Sequence, residues 1–318
     1  MAGVLNFTPP PIFRSLSSRK TPNSRFCTRS SADISETPTF SPPPNFKAPP
    51  PKRFAVRPDK VFDILGASLA LVFRLGTGVF VDGYSASFVS KNEIPSDQYA
   101  LEFAGLTVKE TSKLGPRPEK PIEIYEFERL NACVAFPDMY CHETRGNFSC
   151  PFCRKVREIV AVLDLDVLFY PCPKNGPNFR PKAAQMGGKQ QFPYMVDPNT
   201  GVAMYESDDI IKYLVGKYGN GNVPFFLSLG LLTTLTEGFA MIGRMGKPSP
   251  FCKVVREVLV ELELPHILHS CARGSPKRHI LYQKAGHFQV PYLEDPNTGI
   301  EMFESAEIVE YLRATYAL

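Results

Sequence analysis

An internal repeat limits what this chain can fold into more than any other feature. Pro151-Phe152-Cys153 returns as Pro250-Phe251-Cys252, Val156-Arg157-Glu158 as Val255-Arg256-Glu257, and Asp197-Pro198-Asn199-Thr200-Gly201 as Asp295-Pro296-Asn297-Thr298-Gly299. The offset is 99 residues before the middle loop and 98 after it, as a one-residue deletion in a surface connection would give. Any fold assigned to one copy must therefore suit the other.

Each copy reads in the same order. Val156, Ile159, Val160 and Leu163 recur at helical spacing, as do Val255, Val258, Leu259 and Leu262, so a helix with one apolar face follows each motif, the first running to Leu165. Short β-type runs come next, Val167 to Cys172 and His266 to Cys271, and then helices around Arg180 to Met186 and Lys277 to Lys284. Tyr194 to Val196 and Val202 to Tyr205, joined by the Asp-Pro-Asn-Thr-Gly turn, predict a hairpin. A last helix starts at Ser207, or at Ser305 in copy two, where a hydroxyl can cap exposed amides. Upstream of copy one, Pro121 to Glu128 alternates as a strand does.

The chemistry sits in Cys150-Pro151-Phe152-Cys153. A cysteine at the first turn of a helix faces unpaired amide donors and the positive end of the helix dipole, both of which favour thiolate. Cys150 takes that place, and Cys153, one turn further in, can resolve a mixed disulfide. A CxxC also serves zinc, but zinc wants a second ligand pair, and Cys133, Cys141 and His142 do not make a convincing one, so no metal is expected. In copy two Ser249 replaces the first sulfur and Cys252 keeps the second; a serine hydroxyl without a base performs no disulfide exchange. For Cys172 and Cys271, at equivalent strand ends, a buried structural thiol is the expectation.

The order strand, CxxC, helix, strand, helix, hairpin, helix gives an α/β fold class of two tandem domains, the second short of its first strand. It resembles the thioredoxin fold, and more narrowly the glutaredoxin-like amino-terminal domain of glutathione S-transferases, over about 121–219 and less completely 248–318. The residues carrying the resemblance are Cys150 to Cys153, Phe192-Pro193 before the hairpin and Glu206-Ser207 at the last helix, with Val290-Pro291 and Glu304-Ser305 repeating the last two. The resemblance implies bound glutathione, a cis Phe192-Pro193 bond with the Phe192 backbone pairing the tripeptide, and Glu206 with Ser207 holding its γ-glutamyl end. It implies a glutathione-linked thiol-disulfide oxidoreductase acting on protein disulfides or glutathionylated proteins. The alternatives are a glutathione transferase or a non-catalytic glutathione-binding protein, the second suiting copy two. The family places the nucleophile a few residues after the first strand, whereas here 129–149 intervenes, either as a lid or as retained non-coding sequence. Copy two shows no good first strand before Ser249; either Phe239 to Ile242 substitutes or the copy is incomplete.

Composition fixes the surroundings. A net charge of +4, partly from the amino-terminal arm, gives no electrostatic case for nucleic acid. Eight unevenly spaced cysteines do not make a secreted disulfide scaffold. Arg14, Arg19, Lys20, Arg25 and Arg29 precede the first acidic residue, Asp33, among serines and without a long apolar run, which is the composition of an organelle transit peptide; the uncharged first thirteen residues and the helix-breaking Pro9 to Pro11 point to a plastid address, the alternative being a disordered cytosolic tail. We therefore expect a transit peptide and proline-rich linker over 1–60, an apolar helical segment over 61–90, copy one over 120–219, a second apolar helical segment over 220–247 and copy two over 248–318. The apolar runs within these segments, Ile64 to Phe73 between charges and Val223 to Thr236, fall short of the roughly 18 residues needed to span a bilayer, so membrane contact is expected to be at most peripheral.

Overall fold

The computed structural model describes residues 3–6, 40–51, 78–95, 97–103, 106–127, 150–228 and 250–317. Strand β1 (Gly3–Asn6) comes first, followed by a small antiparallel sheet of β2 (Ser85–Val89), β3 (Leu101–Phe103) and β4 (Leu106–Thr111), ordered β2-β4-β3. Copy one runs β5 (Ile122–Glu126), α1 (Pro151–Val162), β6 (Asp166–Pro171), α2 (Phe179–Gly187), β7 (Tyr194–Asp197), β8 (Val202–Met204) and α3 (Ser207–Tyr218). Copy two runs α4 (Pro250–Glu261), β9 (His266–Ser270), α5 (Lys277–Ala285), β10 (Tyr292–Asp295), β11 (Ile300–Phe303) and α6 (Ser305–Tyr316). The segment expected to be helical over 61–90 is described only from 78 on, where it pairs as β2. Its alternating small and apolar residues suit a strand against β4 better than a helix.

Proline opens α1 at the position where its missing amide hydrogen is not needed, and Val156, Ile159 and Val160 are fully buried. The helix stops at Val162 rather than continuing to Leu165, because Asp164 takes a left-handed backbone (φ 54°). Its amide bonds back to Ala161 O at 3.2 Å, and that of Leu165 to Val160 O at 3.0 Å. Copy two ends α4 the same way, with Glu263 at φ 48°. Glycine is the usual residue at such a stop, so an acidic side chain here needs a reason.

The reason lies in the joint between the copies. Strands β6 and β9 pair antiparallel, in the middle of one eight-stranded sheet ordered β11-β10-β1-β9-β6-β5-β7-β8. Leu168 faces Ile267, its own equivalent at the offset of 99, so a local two-fold axis passes through that pair. Around this axis each acidic stop residue reaches the opposite copy. Glu263 Oε2 accepts from Asn178 Nδ2 at 2.8 Å, at the start of α2. Asp164 Oδ1 lies 3.5 Å from Lys277 Nζ, at the start of α5, and the same ammonium donates to the Asp164 carbonyl at 2.7 Å. Gly176 has no side chain because a Cβ there would collide with Glu263 Oε1. Beside them Asp166 Oδ1 meets His269 Nδ1 and Lys277 Nζ, both at 2.7 Å.

The repeated turn is latched to the last helix. Asp197 Oδ2 accepts from the hydroxyls of Tyr213 and Tyr218 at 2.7 and 2.6 Å, and Asp295 Oδ2 accepts from Tyr311 and Tyr316 at 2.5 and 2.7 Å. One apolar core runs under both copies, from Ile124, Val160 and Leu214 to Leu259, Leu293 and Leu312.

The first strand that copy two's sequence lacks is supplied from a distance. Strand β1 fills the place between β9 and β10 that β5 fills between β6 and β7, but in the opposite sense. It runs antiparallel to β9 and parallel to β10, whereas β5 is parallel to β6 and antiparallel to β7. Phe239 to Ile242 and the insertion 129–149 lie outside the described residues. Part of the expected linker packs on the core, with Phe40 against Tyr316 and Phe46 against Tyr311 at ring separations of 4.8 and 5.1 Å. Among the described residues no helix is long and apolar enough to cross a membrane.

Candidate functional site

Cys150 stands at the cap position of α1, in extended backbone, with its carbonyl accepting from Arg154 N at 3.1 Å. It is half-buried, and its Sγ lies 3.8 Å from the carbonyl oxygen of Phe192. Cys153, one turn on, is 1% exposed. A hydrogen bond from the Cys153 thiol favours the Cys150 thiolate most. Burial opposes it, and the amides of Cys153 and Phe152 with the charge of Arg157 favour it again, so Cys150 is lowered to about 7. Burial, and then the hydrogen bond to Cys150, push Cys153 well above the ordinary thiol range. The two sulfurs, alike in sequence, are thereby made unlike. Cys172 is buried and is pushed up by desolvation, which fits the structural role expected of it; Cys271 is likewise buried.

Across from the sulfurs, the Phe192-Pro193 bond is cis, and so is Val290-Pro291 in copy two. Glu206 precedes α3 with φ 64° and ψ 112°, and Glu304 precedes α6 with φ 71° and ψ 109°. Such a backbone costs a non-glycine residue of order 1–3 kcal/mol and persists only where its surroundings impose it. The glutamate side chains are bonded alike in both copies: Gln191 Nε2 donates to Glu206 Oε1 at 2.6 Å, and Gln289 Nε2 to Glu304 Oε1 at 2.9 Å. Ser207 and Ser305 are not the caps of their helices; the preceding glutamates occupy that position, and neither side chain bonds a first-turn amide. Ser207 is instead the first helical residue and is buried, while Ser305 is half-buried.

Two further pieces of the site escaped the sequence reading. Arg180 on α2 donates from Nε to the carbonyls of Cys172 and Pro173, at 3.2 and 2.7 Å, and lies over the Phe192 ring at 4.9 Å. Arg278 does the same in copy two, donating to Cys271 and Ala272 and lying over Phe288 and Tyr99. The arginines and glutamines recur at the offset of 98, which was the available signal. The other piece is an ion pair below the dithiol, Arg157 Nε to Glu126 Oε2 at 3.1 Å, with both side chains nearly unexposed. Lys155, also buried on α1, pairs with Asp208.

Copy two differs where the chemistry would be. Cys252 is half-buried rather than enclosed, and Ser249 lies outside the described residues. Residues from β4 of the small sheet and from the connection between β2 and β3 cover the start of α5. Glu93, Tyr99, Lys109 and Glu110 face Ser275, Arg278 and His279 around a cavity of about 350 Å³. No group of His, Cys, Asp and Glu among the described residues could hold a metal ion.

In copy one, a helix-start dithiol facing a cis-proline turn, on a sheet whose first strand is parallel to its second and antiparallel to its third, defines the thioredoxin-fold class. The family model of the glutathione S-transferase N-terminal domain matches the chain twice, over 148–222 and 247–318. The chain thus carries two glutathione S-transferase N-terminal domains in tandem, a type of domain that binds glutathione in general. No curated protein and no solved structure matches it.

Proposed function

We propose that copy one is a glutathione-linked thiol-disulfide oxidoreductase of the plastid, with Cys150 as nucleophile and Cys153 as resolving thiol. The observation that carries the reading is the inequality of the two sulfurs: Cys150 half-buried and lowered to about 7, Cys153 enclosed and raised. At neutral pH about half of Cys150 is then thiolate, near the optimum for an attacking thiol.

The thiolate attacks the glutathione sulfur of a glutathionylated protein. The protein-glutathione S–S bond breaks, a Cys150-glutathione bond forms, and the released protein thiolate takes a proton from water. Forming that bond removes the Cys150 charge and hydrogen bond that hold the Cys153 proton. Cys153 then gives up its proton to solvent and attacks Cys150, releasing glutathione and closing the Cys150-Cys153 disulfide. The dithiol supplies both electrons, and two further glutathione molecules restore it while forming their own disulfide. The Phe192 backbone would pair with the tripeptide, and Glu206 and Ser207 would take its γ-glutamyl ammonium and carboxylate. Copy two keeps the equivalent Val290-Pro291 and Glu304-Ser305 without a nucleophilic thiol at 249, which supports a binding or docking role for it.

Purified protein should reduce a glutathionylated peptide with glutathione as the electron source, and Cys150→Ser should abolish this. Undiminished turnover in the variant would sink the assignment.

A further inference from the structure

The buried charges beneath the dithiol have no part in that mechanism. Glu126 closes β5, and its carbonyl accepts from Cys172 N at 2.8 Å. The next residue, Phe127, donates its amide to the Cys153 sulfur, so the strand end that carries Glu126 lies against that thiol. Arg157 follows Cys153 by four residues on α1 and therefore shares its face of the helix. The Glu126–Arg157 pair is thus packed between the strand end and the motif, with side chains 1% and 2% exposed.

Stability alone does not account for burying it. Removing two charges from water costs about as much as their attraction returns, and apolar residues of similar volume often do as well or better. The surrounding charges do not substitute for the pair. On α1, Arg154, Lys155 and Glu158 are also buried, and Lys155 is committed to Asp208 at the start of α3. On α2, Arg180 is held over Phe192, and Glu206 before α3 accepts from Gln191. Copy two repeats the arginine as Arg256, but the strand carrying Glu126 has no counterpart in its sequence.

We propose that the Glu126–Arg157 pair is a positioning element that assigns the two sulfurs their roles, its arginine end holding negative charge at Cys150 and its carboxylate end keeping the proton on Cys153. This deepens the oxidoreductase reading of copy one and rests on it. The electrostatic influences run in those directions, Arg157 lowering Cys150 and Glu126 raising Cys153. The two ends therefore have opposite effects on the dithiol, which a purely structural contact would not.

The test uses the full chain carrying Glu126→Gln, Arg157→Met, Arg157→Lys or the double change Glu126→Gln/Arg157→Met. Alkylation by iodoacetamide is followed against pH at each cysteine by mass spectrometry, and the reduction potential is measured against glutathione. Glu126→Gln should move the Cys150 midpoint below that of the unaltered protein, make Cys153 more readily alkylated and make the disulfide more oxidising. Arg157→Met should move the Cys150 midpoint up and make the disulfide less oxidising; a midpoint higher by about one pH unit would cut alkylation at pH 6 by up to roughly tenfold. Arg157→Lys should stay close to the unaltered protein, because it keeps the charge. The double variant removes both charges together and provides the same comparison should a single change prevent folding; its Cys150–Cys153 difference should shrink. Midpoints that stay put, or move the same way in the two single variants, would overturn the proposal. If instead the unaltered protein forms no reversible Cys150–Cys153 disulfide, the oxidoreductase reading fails, and the alkylation midpoints still report on the pair.

Discussion

Glu206 and Glu304 share a left-handed backbone, accept from equivalent glutamines and precede equivalent helices. Yet Cys150, whose sulfur lies 3.8 Å from the Phe192 carbonyl oxygen, corresponds in copy two to Ser249. The cis-proline turn and the Asp-Tyr latch are likewise doubled, whereas the enclosed second thiol, Cys153, and the strand bearing Glu126 belong to copy one alone. What the copies have in common would hold a ligand or the fold; what they lack in common would move electrons. On the oxidoreductase reading proposed above, the difference would separate binding from chemistry on one scaffold.

The sharpest way to break that comparison is at the sulfurs. Cys150→Ser should cost at least about a hundredfold in reduction of a glutathionylated peptide, whereas Cys252→Ser should leave the rate unchanged, both read in a glutathione-coupled assay. Equal losses would mean that the copies share one activity. Next in size is the buried charge: Glu126→Ala leaves Arg157 without its partner and should destabilise the protein by about 3–5 kcal/mol in urea unfolding. Arg256→Ala, at the half-exposed equivalent of Arg157, should cost well under half of that.

The doubled latch predicts equality rather than difference. Asp197→Ala and Asp295→Ala each strip the acceptor from two tyrosine hydroxyls, and each should cost about 2 kcal/mol, since Thr200 and Thr298 still bond one tyrosine of each pair. Unequal midpoints would show that one turn is only decorative. The smallest effect lies at the joint and depends on pH. Asp166, despite burial, is lowered to about 2 by His269 and Lys277. A carboxyl held below its unfolded value of roughly 3.9 stabilises the fold above that pH and loses the contribution as pH falls toward 2. Asp164, raised by burial, works in the opposite sense and blunts the change. Unfolding followed from pH 5 to 2 should therefore show a shallow loss that Asp166→Asn flattens.

Local signals in the sequence foretold a good deal of this. Val156, Ile159 and Val160 announce α1, and the Asp-Pro-Asn-Thr-Gly turn announces both hairpins, because each signal is contained within a few residues. Both positive-φ glutamates sit in Glu-Ser pairs that the resemblance had already singled out, but their side chains bond Gln191 and Gln289, fifteen residues away, and no local pattern shows that. Asp164 and Glu263 read as ordinary helix-end acids until β6 meets β9, since their partners belong to the other copy. Least legible was β1, where Val4 pairs with Tyr292 across nearly the whole chain.

The joint between the copies also bears on solubility. A thioredoxin-fold sheet standing alone would end in β6, six residues including Val167, Leu168 and Phe169, whose unpaired amides and carbonyls invite another chain to add a strand. Pairing β6 with β9 closes that edge in both copies at once. What is left at the rims of the sheet is β8 and β11, three and four residues long, too short to template much. Each copy thus guards the other against aggregation, an office that requires the second copy to fold but not to react.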